Sequence, residues 1–210
     1  MSRRIAVVTA GLSQPSSTRM LADQLATSTT RAMRERGVDA EVEVVELRDY
    51  AHDLTDNLLT GFPSARLGEV VDSVVTSDAL VAVTPIFTGS YSGLFKMFFD
   101  VLDKDSLAGM PVLIAATGGT ARHSLALEHA VRPMFTYLHA TVVPTSVYAA
   151  SEDWGSAGGG RALSERVDRA ADELAALVAG TGAGRREAET VDPFEEPTPF
   201  VDLLAGRLTS

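Results

Sequence analysis

The sequence predicts an α/β domain, a doubly wound parallel sheet of five strands between two layers of helices. Three observations carry the prediction. Ile5–Ala10, Leu80–Val83 and Pro111–Ala116 are short runs with almost no polar residue, as strands buried on both faces of a parallel sheet are. Between and after them, apolar residues recur at helical spacing. Each of the three runs ends in a stretch of small and hydroxyl-bearing residues. Read in order, the pattern is β-α-β-α-β-α-β-α-β-α with no internal repeat, so right-handed crossovers are the default.

The elements follow in turn. Ile5–Ala10 is the first strand. Ser16 or Ser17 caps a helix running to about Arg36, with Leu21, Leu25, Thr29, Ala32 and Met33 on its inner side, and Gly37 ends it. Glu41–Leu47 alternates valines with acids, which places it near a sheet edge. Arg48–Pro63 is a long connection in which Leu58 and Leu59 form a short helical turn. Ala65–Ser77 is a helix on Leu67, Val70, Val71 and Val74. Leu80–Val83 is the central strand, stopped by Thr84-Pro85. Ile86–Gly93 is a loop, and Leu94–Leu102 a helix. Pro111–Ala116 is a strand, Thr117–His123 a loop, and Ser124–His139 a helix with Leu127, Val131, Met134 and Leu138 in one stripe. Pro133 lies inside that helix, where it removes one backbone donor and crowds the carbonyl of His129. A kink or widened turn is expected around Glu128–Pro133. Thr141–Tyr148 is the last strand, Ser151–Gly160 a Gly-rich linker, and Arg161–Val178 the last helix. Residues 1–180 thus read as one domain. Residues 181–210 read as a tail, either flexible or docking through Phe194, Phe200, Val201, Leu203 and Leu204 on a partner.

Composition narrows the function. The chain has 210 residues, no cysteine, four histidines without metal-like spacing and a net charge of −10. A thiolate metal site, an iron–sulfur cluster and a catalytic thiol are excluded, and a cytoplasmic protein without disulfides is expected. The negative charge argues against nucleic acid as a partner. No stretch approaches the roughly 20 apolar residues that span a bilayer. Arg3-Arg4 before Ile5–Val8 resembles the start of a signal peptide, but the apolar run is too short and meets Gly11 and Pro15.

The stretch around which the rest is organised is Ala79–Asp103, a strand, a Gly-containing loop and a helix. Such loops lie at the carboxyl edge of a parallel sheet, where these folds bind ligands. Three loops have matching chemistry. The first, Ala10–Arg19, lacks both the G-x-G-x-x-G and the G-K-[ST] patterns. It places Ser13, Ser16, Ser17 and Thr18 at a helix N-terminus, which suits a single terminal phosphate, or serves only as helix capping. The second offers Pro85, Ile86, Phe87, Thr88, Gly89 and Ser90, with Phe87 and Tyr91 as apolar surface beside a ring system. The third offers Gly118, Gly119 and Thr120, whose amides can point at a ligand edge. A strand order of flavodoxin-like or half-Rossmann type remains open on this pattern alone.

TPIFTGSYSGLFKMFFD, and ATGGTARHSLALEHAVRPMF after it, resemble the NAD(P)H-dependent FMN reductases of flavodoxin-like fold. The likeness covers roughly residues 4–150. It is strongest to the type that supplies reduced flavin to alkanesulfonate and related luciferase-like monooxygenases. The resemblance implies strand order 2-1-3-4-5 and FMN held by Ser13, Ser16–Thr18, Pro85–Ser90 and Gly118–Thr120. It also implies hydride transfer from NADPH or NADH, and association into homodimers or homotetramers. Ser13 stands where the family usually places an arginine, which leaves phosphate recognition to hydroxyls and amides. No catalytic acid or base is expected, because the protein's part is stacking geometry and electrostatics. Arg19 or Arg122 is placed to meet an NADPH 2′-phosphate or is a solvated surface arginine. Helix Leu94–Leu102 has more apolar surface than one sheet face needs, which predicts a second subunit or a cover formed by Arg48–Pro63. An FMN-dependent quinone or azo reductase and a flavodoxin-like electron carrier stay as alternatives. The second and third loops contain no acid, which disfavours the carrier.

Overall fold

In β1 (Arg3–Thr9), successive side chains enter two different cores: Ala6 and Val8 face one, Ile5 and Val7 the other. The same division holds in β3 (Ala79–Phe87), where Leu80 and Ala82 oppose Val81 and Val83. In β5 (Pro111–Gly118), Val112 and Ile114 oppose Leu113 and Ala115. Burial on both faces is why these runs lack polar alternation. The computed structural model describes residues 2–155 and 157–180, so the predicted tail lies outside the described residues.

β1 pairs in parallel with β3 and with β2 (Ala40–Glu46), and β3 pairs in parallel with β5. β4 (Ser90–Tyr91) folds back on the end of β3. Beside β5 run two short pieces, β6 (Thr141–Val142) and β7 (Val147–Ala150), both parallel to it. Counted as one interrupted strand, they complete the flavodoxin-like order 2-1-3-4-5. β2 is an edge strand, with Glu41, Val42 and Glu43 exposed and Val45 alone buried, in keeping with its alternating acids.

The apolar stripe of α1 (Ser17–Glu35) and that of α7 (Ala157–Gly180) cover one face, with Leu21, Leu25, Met33, Leu163, Leu174 and Val178 fully or almost fully buried. The other face carries α3 (Ala65–Val75), α4 (Gly93–Asp100) and α5 (Arg132–Tyr137). A 3₁₀ turn (Leu47–Tyr50) and α2 (Ala51–Thr60) pack against α4. Residues 47–60 are thus helical where a mostly irregular connection was expected. Together with Phe135 of α5, at 4.8 Å from the Phe99 ring, they cover the surplus apolar surface of α4. α4 therefore needs no second subunit to bury Phe95, Phe98 and Phe99.

Two further boundaries differ from expectation. Residues 151–155 and 157–160 are helical where a linker was expected: α6 (Ser151–Gly155) begins directly after β7, and the Asp153 carboxylate accepts from the Ala150 amide and tightens the turn. Residues 124–139 are not one regular helix. A 3₁₀ turn (Ala121–His123) precedes a π-helix (Leu127–Val131), and α5 starts immediately afterwards with Pro133 in its first turn. The widened turn expected ahead of Pro133 is this π-helix.

The π-helix and the interrupted last strand are stitched together by charge-assisted hydrogen bonds. Arg132 donates to both carboxylate oxygens of Glu128, at 2.6 and 3.1 Å. It also donates to the carbonyls of Val143 and Pro144, at 2.9 and 3.1 Å, between β6 and β7. Ser146 donates to Glu128 at 2.7 Å, and Glu173 of α7 accepts from both the amide and the hydroxyl of Thr145. Backbone groups that lose their ladder partners at the interruption are satisfied by side chains instead. The bond from Arg132 is the main cause that holds the Glu128 carboxyl below its ordinary pKa of 4.5. A depressed carboxyl pKa contributes stability above the unfolded value, and that contribution is lost as pH falls through the folded one. Glu128→Gln should therefore lower the melting temperature near neutrality, and the gap to the wild type should narrow between about pH 6 and about pH 3. A gap that stays constant over that range, measured by thermal melts, would contradict the assignment.

Candidate functional site

The loop after β1 is shaped by a missing side chain. A Cβ on Gly11 would lie 2.0 Å from the Ser16 hydroxyl, so only glycine lets the chain pass there. Ser16 is the N-cap of α1 and accepts from the Arg19 amide at 3.2 Å. Thr18 points inward, and its hydroxyl meets that of Thr117 at 2.8 Å in a buried contact. Two of the four predicted hydroxyls are thus used internally, while Ser13 and Ser17 stay exposed at the helix end. The first turn of α1 contains no acid. The first amides of a helix have no acceptor within it, so those of Ser17 and Thr18 are free to meet an anion. The Thr9 hydroxyl, at the end of β1, is buried and without a hydrogen-bond partner.

The second loop is a β-hairpin. β3 does not stop at Thr84-Pro85 but continues to Phe87, because Pro85 aligns with Thr117 of β5 and the strand then leaves the sheet to pair with Ser90–Tyr91. Thr88 and Gly89 form the two-residue turn with φ of 51° and 83°, both left-handed, as a type I′ turn requires. Thr84 anchors the base of the hairpin, donating to the Pro85 carbonyl at 2.9 Å and accepting from the Ser92 amide at 3.1 Å. Ser92 in turn caps α4 by accepting from the Phe95 amide. Pro85 is buried and Ile86 half-buried, and Phe87 presents a ring that is 48% exposed.

The third loop leaves β5 at Gly118. A Cβ there would lie 2.0 Å from the Tyr148 hydroxyl. Tyr148, from β7, donates that hydroxyl to the Thr120 carbonyl at 2.9 Å. Burial pushes the Tyr148 phenol up, which keeps it protonated as a donor. Gly118 is therefore glycine to admit a tyrosine, whereas Gly119 has open space around its Cα and is exposed. Thr120 accepts from the Arg122 amide at 3.4 Å, and the Arg122 residue is exposed.

The three loops converge on one edge. Pro85 lies opposite Thr117, and the Thr18–Thr117 contact ties the start of α1 to the end of β5. Arg19 is engaged, donating to Asp23 at 2.8 Å and to Glu46 at 2.6 Å. The bond to Asp23 is the main reason its guanidinium is held more strongly charged. A dinucleotide phosphate would have to displace those carboxylates. Reading the sequence missed Thr9, Thr117, Tyr148 and Arg48 around this edge. Only the hydroxyl of Thr117, directly before Gly118-Gly119, carried a local signal. Among the described residues no cluster of His, Asp and Glu is arranged for a metal, and no helix is long and apolar enough to cross a membrane.

Comparison with known proteins decides the family. Residues 3–155 match the family described as NADPH-dependent FMN reductase. The chain belongs to this family. It is 35% identical over 181 residues to a Pseudomonas aeruginosa protein named FMN reductase (NADPH), covering 84% of this chain and 93% of that one. It is 30% identical to the Pseudomonas putida protein named NADH-dependent FMN reductase SfnE, covering 88% and 97%. The solved structure of an oxidoreductase from Corynebacterium diphtheriae superposes with a TM-score of 0.83 at 47% identity, over 86% of this chain and 99% of that one. The family is enzymatic, and this flavodoxin-like member is an oxidoreductase that uses FMN and a nicotinamide.

Within the reductase, the tightest packing constraint at the edge is the Gly118–Tyr148 contact. Gly118→Ala should destabilise the protein by about 2 kcal/mol through overpacking, and Tyr148→Phe should recover part of that loss in the double variant. Additive losses in denaturant melts would show that the hydroxyl is not what the glycine accommodates.

Proposed function

We propose that this FMN reductase holds the flavin phosphate at the start of α1 with Ser13, Ser16, Ser17 and Thr18. The ring system lies beside the hairpin residues Pro85, Ile86, Phe87, Thr88, Gly89 and Ser90. Its polar edge faces Gly118, Gly119 and Thr120. The observation that carries the reading is the convergence of the three loops, locked by the buried Thr18–Thr117 bond, on a helix end with exposed hydroxyls.

The residues present fit the group. A buried Thr9 hydroxyl without a partner and the exposed Ser13 and Ser17 hydroxyls offer polar contacts, and none of the three loops places a carboxylate against a phosphate. Bound there, FMN supplies the two-electron redox chemistry between the nicotinamide and an acceptor. The chain itself acts by placement. Amides and hydroxyls of α1 fix one end, Phe87 offers a partly exposed apolar face, and the Gly119 backbone leaves room for close approach. On this reading no side chain at the edge is asked to act as a general acid or base.

The acceptor follows from the same reading. The likeness of the second and third loops points to a luciferase-like flavin-dependent monooxygenase as the consumer of the reduced flavin. A homodimer or homotetramer, a cytoplasmic setting, and a domain of residues 1–180 with a separate tail complete the proposal. With α4 covered, the most exposed large apolar side chains among the described residues are Leu59, at 80%, and Phe62, at 78%, at the end of α2, and these are offered as the interface.

Anaerobic oxidation of NADPH and NADH, with and without added FMN, tests the activity. Stimulation by free FMN is expected, and no oxidation of either nucleotide would overturn the reading. Ser17→Ala should weaken FMN binding about tenfold, the order of one hydrogen bond to a charged group, as measured by flavin fluorescence quenching. Phe62→Ser should lower the mass found by light scattering. An unchanged oligomer would move the interface elsewhere.

A further inference from the structure

The loop after β1 lacks any cation: residues 10–18 hold none, and Arg19 is tied to Asp23 and Glu46. A phosphate with two negative charges at a helix end is held more firmly when a guanidinium lies near. The structure brings one there from the turn that follows the neighbouring strand β2. In the parallel register Thr9 lies opposite Glu46, so the residues just after β2 run alongside the loop just after β1. Arg48 is the second residue past β2 and is half-buried. With its amide oriented to satisfy its partners, Gln14 accepts from Arg48 through Nη1 at 3.2 Å and also through Nη2. The Nε atom is buried without a hydrogen bond, 3.5 Å from an oxygen of Asp49 and 3.8 Å from one of Glu46. Those carboxylates hold the stem side of the guanidinium, and the Nη side is turned to the loop.

We propose that Arg48, held against the first loop by Gln14, supplies the positive charge that this loop lacks and so selects phosphorylated flavin over riboflavin. The inference rests on the flavin site proposed above. It revises the expectation that phosphate recognition is left to hydroxyls and amides. A role confined to bracing the loop would affect every flavin equally. A role toward the phosphate separates FMN from riboflavin, which share the ring and differ in that one group.

Binding of FMN and of riboflavin to the full chain is therefore measured by fluorescence quenching at low and moderate salt, for the wild type and for Arg48→Gln, Arg48→Lys and Gln14→Ala. Expected is an FMN dissociation constant raised about tenfold in Arg48→Gln, with riboflavin changed less than about twofold. Arg48→Lys should retain part of the selectivity, and added salt should weaken FMN more than riboflavin in the wild type. Gln14→Ala should lie between the wild type and Arg48→Gln. Unchanged FMN affinity in Arg48→Gln, or equal loss for both flavins, would overturn the proposal. If Arg48→Gln does not fold, equal salt sensitivity of FMN and riboflavin in the wild type would overturn it as well. A wild type that binds no FMN would instead remove the site reading beneath it.

Discussion

Thr18 and Thr117 meet through their hydroxyls at 2.8 Å in a buried position, and much of the carboxyl edge depends on that contact. β1 and β5 are not neighbours, because β3 lies between them. For the first turn of α1 to reach β5 it must pass over the end of β3, and the hairpin that continues β3 must leave the sheet to let it pass. The Gly11 backbone permits this by yielding its Cβ volume to the Ser16 hydroxyl. A buried hydroxyl pair has few ways to be satisfied, so the two loops are fixed relative to each other more firmly than apolar contact alone would fix them. The site is thus assembled by a polar constraint laid over an apolar sheet.

The sheet was legible because its physics is local. A run such as Leu80–Val83 can be stable only when buried on both faces, and burial on both faces implies parallel strands with helices above and below. The N-cap of α1 and the inner stripe through Leu21, Leu25 and Met33 could be read for the same reason. The widened turn before Pro133 could also be anticipated, since proline's missing donor acts on its own helix. What escaped was whatever depended on a distant residue. Pro85 looked like a strand terminus because it cannot donate to a ladder, yet the strand runs on, its next two residues pairing with β4 as well. Gly118 could be read only for its amide, and the approach of the Tyr148 hydroxyl, 30 residues further on, had no local signal.

The assembly inference shows the same limit from the other side. Helix α4 carries more apolar surface than a sheet face requires, and that observation is correct. It does not say what covers the surplus. The answer lay in residues 47–60, whose helical character is weak in sequence because a 3₁₀ turn and a ten-residue helix leave little periodicity to detect. Once these pack on α4, and Phe135 stacks edge-on against Phe99, the apolar excess is absorbed within one protomer. Among the described residues, the two most exposed large apolar side chains, Leu59 and Phe62, lie on and just after the covering helix α2.

Charge is distributed around the edge with a consistent logic. The three loops contain no carboxylate, while acids gather just outside them at Asp23, Glu46 and Asp49, each beside an arginine. A chain with net charge −10 would repel a phosphorylated ligand at long range, so its local field at the binding edge has to be offset by nearby cations. Arg19 and Arg48 lie in that ring, and the acids beside them hold the guanidinium groups in place at modest desolvation cost, since the pairs are only partly buried. On the site proposed above, binding strength is divided among a helix end, a few hydroxyls and a cation from the turn after the neighbouring strand, with no single dominant anchor. If the flavin is handed on as proposed, such a division suits it, because no one contact holds the phosphate alone.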